Sequence, residues 1–161
     1  MMSDKGMVMR LKILVALATV FGLMGQAHAG DISPQANREF LAAFAKKPDV
    51  IARPSGLLYR VITPGSGETP GPDDMVTVVY RGEMVDGVVF DQTKAGETTK
   101  LPVNKVIPGW QEALSLMKVG DEWEIVVPSK LGYGAVRSGS IPSNQNLVFR
   151  VHLVAVQHPR P

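Results

Sequence analysis

Alternation of apolar and polar positions is the clearest pattern in the chain. From Met75 to Val85, Val76, Val78 and Tyr80 fall on one face and Thr77, Val79 and Arg81 on the other, the period of two expected of a half-buried strand. Asp86-Gly87 then signals a hairpin that returns the chain through Val88, Val89 and Phe90. Upstream, Leu57 to Thr63 reads as a strand in which Leu58 and Tyr59 precede β-branched Val61 and Ile62. Downstream, Lys100 to Val103 is a short extended piece. Asp121 to Val127 places Trp123, Ile125 and Val127 inward and Glu122, Glu124 and Val126 outward, and Pro128 stops it. Leu147 to Val156 is the longest strand, with Leu147, Phe149, Val151, Leu153 and Ala155 on one face.

Helical spacing interrupts this pattern twice. Ser33-Pro34 has the form of an N-cap followed by proline at the first helical position. Phe40, Leu41 and Phe44 then recur at helical spacing, and Pro48 ends the run. A helix of about three turns needs a surface to pack on, in its own domain or in a second subunit. Pro108 opens the second helix, with Trp110, Ala113, Leu114 and Met117 as its apolar stripe and Gly120 suited to the position just past its end. Loops rich in Gly, Pro and Ser cover Pro64 to Pro72 and residues 129–145. One helix inside the domain cannot alternate with every strand, which argues against a parallel doubly wound sheet. The expected class is α+β, an antiparallel sheet with one face packed on a helix.

The formal net charge is +2, from 17 Lys and Arg against 15 Asp and Glu. Residues 1–29 hold Lys5, Arg10 and Lys12 against Asp4, so the rest of the chain is balanced. A neutral body argues against nucleic acid as partner, because such binding rests on neutralising phosphates. Arg10 and Lys12 precede an apolar run from Ile13 to Met24 and then Ala27-His28-Ala29, which together read as a cleavable signal peptide over residues 1–29. The run falls short of the ~20 residues that span a bilayer. The expected mature chain begins near Gly30 and is periplasmic or secreted, with no membrane association after cleavage.

Candidate chemistry is sparse. The chain has no Cys, which excludes disulfides, thiolate metal sites and a Cys nucleophile. After residue 29 only His152 and His158 remain, without the spacing of a catalytic metal site. Gly65-Ser66-Gly67 precedes no helix and so is not a phosphate cradle. No metal or cofactor is expected. What stands out is a set of aromatic and aliphatic residues beside turns: Tyr80, Phe90-Asp91, Val106-Ile107-Pro108-Gly109-Trp110, Tyr133, Ile141 and Phe149. Strand ends and long loops are where binding pockets form.

The segments Val79 to Gly82, Asp86 to Asp91, Val106 to Trp110, Met117 to Gly120, Leu131 to Gly134 and Leu147 to Phe149 stand in the order and spacing of FKBP-type peptidyl-prolyl isomerases. The resemblance covers roughly residues 54–156. The stretch from Phe40 to Ile62 further resembles the secreted bacterial branch typified by the macrophage infectivity potentiator, whose long N-terminal dimerisation arm would here be reduced to a short helical extension at 30–53. The resemblance implies a curved antiparallel sheet of five or six strands around the helix near 108–118, in a domain spanning 54–158. It also implies a shallow apolar pocket with Trp110 as floor. Tyr80, Phe90, Val106, Ile107, Tyr133 and Phe149 would be its walls, Asp91 the polar group at its rim, and Ile141 would come from an overhanging loop.

Two departures from the family pattern matter. Thr99 and Leu101 stand where aromatic residues are usual, leaving Leu101 as part of the wall, and Arg137 to Ser140 replaces the usual Pro-Gly of the flap. By resemblance, Tyr80, Asp91, Trp110 and Tyr133 would act on the substrate. The Ile141 backbone N–H and the Tyr133 hydroxyl would donate to its carbonyl. Expected partners are proline-containing polypeptides and the macrolide ligands of the family, with the protein a monomer or weak dimer. The competing reading is a chaperone-like binding module that grips Pro-containing or unfolded segments without useful turnover.

Overall fold

The computed structural model describes residues 30–160, so the leader reading of 1–29 lies outside the described residues. Helix α1 (Pro34–Ala45) begins as expected: the Ser33 hydroxyl accepts from the Ala36 N–H at 3.1 Å, with Pro34 next to it. Strands β1 (Ile51–Ala52), β2 (Leu58–Thr63), β3 (Met75–Met84), β4 (Val89–Gln92) and β5 (Thr99–Pro102) follow. Then come a 3-10 turn at Val103–Lys105, helix α2 (Pro108–Leu114), β6 (Glu122–Val127), a 3-10 turn at Ser129–Leu131 and β7 (Leu147–Gln157).

All strand pairs are antiparallel, in the order β1-β2-β6-β7-β3-β4, with β5 also on β3. The α+β class therefore holds. The sheet has seven strands because the two-residue β1, too short to show alternation, joins its edge. Its inner face packs on α2 in one core with Val76, Val78, Leu114, Met117, Ile125, Leu147 and Leu153.

Two expectations change. Helix α2 stops at Leu114 rather than running to Lys118. The Ser115 hydroxyl donates to the Glu112 carbonyl at 2.6 Å, and the Leu116 and Met117 N–H groups both reach the Ala113 carbonyl, which tightens the chain out of the helix. Gly120 instead occupies the left-handed region (φ 96°) in the turn closed by the Asp121 N–H and the Lys118 carbonyl. Val126, expected on the outer face in solvent, is fully buried. Its strand does present it outward, but α1 covers that patch, and Phe44, Leu58, Val126 and Val148 form a second core with Phe40, Leu41 and Val50 around it. The helix thus finds its packing surface in its own domain.

A buried polar clamp fixes this docking. Asn37 accepts from the Asn146 N–H at 2.8 Å and donates to Gln145 Oε1 at 3.0 Å, while its carbonyl accepts from Asn146 Nδ2 at 3.1 Å. Asn146 Oδ1 in turn accepts from the Ser129 N–H at 3.0 Å. Both ends of the 129–146 connection are therefore tied together, and tied to α1.

Candidate active site

Strand β3 changes partner along its length, and the site sits at the change. Its first half pairs with β5 (Val78 opposite Thr99) and its second with β4 (Arg81 opposite Gln92). Between them, the Tyr80 carbonyl accepts from the Thr93 N–H at 3.0 Å and the Tyr80 N–H donates to the Thr93 hydroxyl at 3.2 Å. Tyr80 thereby faces inward where the two edge strands diverge. Helix α2 supplies the floor. Gly109 lets the helix lie against β6, since a Cβ there would stand 2.6 Å from Val127 Cγ1. Arg53 and Ser55 hold Glu112 at 3.2 and 2.6 Å, and Gln111 Nε2 donates to the Val106 carbonyl at 2.8 Å.

The result is an open cleft of about 260 Å³ lined by Tyr80, Phe90, Asp91, Leu101, Lys105, Val106, Ile107, Trp110, Tyr133 and Phe149. Its rings interlock edge to face: Tyr80 on Trp110 at 5.3 Å, Trp110 on Phe149 at 5.3 Å and Phe149 on Phe90 at 5.5 Å, all within 2° of perpendicular. This is a favoured geometry for aromatic quadrupoles and holds each ring against its neighbour. Trp110 is only 4 % exposed, so a small part of the indole forms the floor. A groove of about 360 Å³ on the opposite sheet face is larger, but Arg60, Arg81, Arg150, Glu83 and Glu124 line it. Each of those arginines is paired with a glutamate, which makes that face a solvated charge lattice rather than an apolar pocket.

Of the residues singled out in the sequence, the cleft brings together Tyr80, Phe90, Asp91, Leu101, Val106, Ile107, Trp110, Tyr133 and Phe149. It does not bring Ile141. That side chain is 5 % exposed and packs in the main core, and its N–H is already donated to the Ser138 carbonyl at 2.9 Å. Ser138 N–H returns a bond to the Ile141 carbonyl at 3.0 Å, with Gly139 at φ 55° in the turn, so the flap closes on itself. The backbone groups of Ser138 and Ile141 satisfy each other and leave no free N–H at Ile141. Thr99 also stands outside the lining. Lys105 lines the cleft and was not singled out in the sequence; its only signal there was its place just before Val106-Ile107.

The polar groups differ in state. The Tyr80 hydroxyl donates to Asp91 Oδ2 at 2.5 Å, and burial, reinforced by that carboxylate, pushes the phenol above the ordinary tyrosine range. Tyr133 is 40 % exposed and its hydroxyl has no hydrogen-bond partner among the described residues. The cleft thus offers an apolar floor, one occupied carboxylate, one free phenolic donor and the Lys105 ammonium.

The family profile described as FKBP-type peptidyl-prolyl cis-trans isomerase matches residues 66–154. The chain is 49 % identical over 121 residues to the outer membrane protein MIP of Legionella longbeachae, an overlap that covers 73 % of this chain and 52 % of that one. Among solved structures it resembles a peptidyl-prolyl cis-trans isomerase from Pseudomonas syringae (37 % identity, TM-score 0.72, 77 % of this chain and 92 % of that one). It also resembles FkpA from Escherichia coli (38 % identity, TM-score 0.75, 83 % and 62 %). The chain spans about half the length of the curated relatives it matches first. With the six motifs in register, the interlocked rings in place and the matched region exceeding half its length, the chain belongs to the FKBP-type peptidyl-prolyl cis-trans isomerase family, in its macrophage-infectivity-potentiator-like bacterial branch.

Proposed function

We propose that this protein accelerates rotation about X–Pro bonds in exported polypeptides. The observation that carries the reading is the Trp110 indole at the bottom of a cleft walled by rings and aliphatic groups. Rotation about such a bond has a barrier of about 18–20 kcal/mol, because twisting destroys amide resonance. The twisted amide has less charge separation at its carbonyl than the planar one. A water-poor apolar pocket therefore disfavours the planar ground state relative to the twisted state. Lowering the barrier by ~7 kcal/mol corresponds to about 10⁵-fold acceleration. No nucleophile, proton relay or cofactor enters this route.

In this reading Trp110, Phe90, Phe149, Leu101, Val106 and Ile107 hold the prolyl ring. Tyr133 supplies the hydrogen bond to the substrate carbonyl, since its hydroxyl is free and the Ile141 N–H is not. Tyr80 and Asp91, bonded to each other, set the polarity of the rim. The isomerase domain spans 54–158, and the 30–53 extension braces it through α1 and β1. Residues 1–29 serve as a leader that delivers the protein to the periplasm or the exterior. The docking of α1 on its own sheet supports a monomer, and the ring-lined cleft is open to macrolides as well as to proline-containing clients.

The test is a proline-limited refolding or protease-coupled assay on the purified protein. Acceleration over buffer, lost in Trp110→Leu with the fold retained, is the expected result. A folded protein that gives no acceleration, yet suppresses client aggregation, would replace this reading with that of a binding module.

A further inference from the structure

We infer that Lys105 makes the cleft charge-selective, favouring X–Pro segments that carry an acidic side chain beside the proline. This names the substrate class of the site proposed above and rests on that reading. Two side chains with a full charge line the cleft, Asp91 and Lys105. Asp91 is engaged by the Tyr80 hydroxyl at 2.5 Å. Lys105 is exposed and has neither an ion pair nor a side-chain hydrogen bond among the described residues. The cleft mouth therefore carries one unanswered cation.

The root of that cation is fixed on both sides. Val103, two residues before it, is buried in the main core and its N–H donates to the Asp74 carbonyl at 3.0 Å. The Val106 carbonyl, one residue after it, is held by Gln111 Nε2 at 2.8 Å. Only the flexible side chain of Lys105 is free, and it shares the cleft lining with Val106 and Ile107. A charge pair made at this exposed side chain is a surface pair, worth a few-fold in binding. A lysine at the end of a three-residue 3-10 turn has little helix dipole to complement, so local structure does not account for its place. Asp91 and Lys105 put opposite charges in one lining, which favours one orientation of an acidic client segment.

The experiment compares proline peptides identical except for Glu, Gln or Lys at each position flanking the proline, using the purified protein, Lys105→Ala and Lys105→Glu. Within each protein the quantity read is the ratio of kcat/KM between peptides, which cancels any general change in activity. For the unsubstituted protein at low salt, Glu is expected to exceed Gln by about two- to five-fold at one flanking position, with Lys below Gln. The ratio should collapse toward one in Lys105→Ala, invert in Lys105→Glu and fade at about 1 M salt, where charges are screened within ~3 Å. Glu, Gln and Lys peptides turned over alike, or a Glu preference that survives Lys105→Ala, overturns the inference and leaves the isomerase reading intact. A Gln peptide that the folded protein does not turn over removes the isomerase reading, and this inference with it.

Discussion

The Tyr80 hydroxyl and the Asp91 carboxylate meet at 2.5 Å across the β3–β4 pair, with Asp91 directly opposite Gly82, two residues beyond Tyr80. The bond latches a ring that also packs edge-on against Trp110. Burial first, and the carboxylate second, raise the Tyr80 pKa above its ordinary 10.0. The sign follows from the folded state holding the phenolic proton more tightly. The contribution to stability is fully present below pH ~10 and is lost as pH climbs through the raised value. An alkaline absorbance titration of the protein minus that of Tyr80→Phe should show one tyrosine ionising late. A difference curve centred at the ordinary value contradicts the latch. A double-mutant cycle with Asp91→Asn should return a coupling of about 0.5–1.5 kcal/mol.

The long strands β3 and β7 were legible because one face of each is buried, so apolar residues alternate along Met75 to Tyr80 and Leu147 to Leu153. The same rule misread Val126, because the cover on its outer face is α1, a segment about 80 residues away that no local period reports. The end of α2 was misjudged because Met117 keeps the helical stripe while the chain has already tightened at Ser115. Nine of the ten candidate site residues came together because motif order carries their placement. Ile141 did not, because whether its N–H is free depends on the flap turn between Ser138 and Ile141, set by two backbone bonds. Lys105 and the Asn37 clamp were invisible, since a lone lysine and a lone asparagine have no pattern.

Asn37 should be a stability hot spot despite its polar side chain. It is 4 % exposed, and its loss leaves the Asn146 N–H and the Gln145 carboxamide with unsatisfied groups in a dry site. Leaving such buried groups unpaired costs about 1–3 kcal/mol. In urea, Asn37→Ala should lower the unfolding midpoint by that free energy divided by the slope, with the slope itself unchanged. Gln35→Ala, on the same helix but exposed and bonded only to Glu39, should stay within about 0.5 kcal/mol. Equal effects from the two substitutions would show that α1 contributes only its apolar face.

His158 ties the C-terminal tail to the start of β3 and to the loop before it. Its Nδ1 lies 2.9 Å from Asp74 Oδ1 and its Nε2 3.0 Å from Glu68 Oε2. The bond to Asp74, then that to Glu68, raises the His158 pKa above its ordinary 6.5. The Gly71 N–H, then His158, lowers that of Asp74 below 3.8. The histidine's contribution is therefore fully present below pH ~6.5 and lost as pH rises through its raised value. That of Asp74 is present above pH ~3.8 and lost as pH falls through its lowered value. The tie is complete between these limits. Compared with His158→Gln, the protein should unfold at higher urea at pH 5.5 and at nearly the same urea at pH 9. A gap of the same size at both values would mean that the charge on the imidazole plays no part.

Gly82, the one glycine of β3, links fold and cleft directly. It lies opposite Phe149 on one side and Asp91 on the other, in extended backbone, so its need is for space rather than for a special dihedral. A Cβ there would stand 2.7 Å from Phe149 Cε1, 2.7 Å from Phe90 Cζ and 2.9 Å from Phe149 Cδ1. Both rings belong to the edge-to-face set, and Phe149 also packs on Trp110, so neither can retreat without moving the wall or the floor of the cleft. Overpacking of this kind costs about 1–3 kcal/mol. Gly82→Ala should therefore remain folded with a lowered melting temperature and lose isomerase activity by more than that destabilisation alone explains. Gly87→Ala supplies the comparison. It meets nothing within 4 Å but sits at φ 83° in the exposed hairpin turn, so it should strain the turn and spare the cleft. If the two variants, matched for fraction folded, show the same turnover, the rings around Trp110 have room to spare and their interlocking does not set the rate.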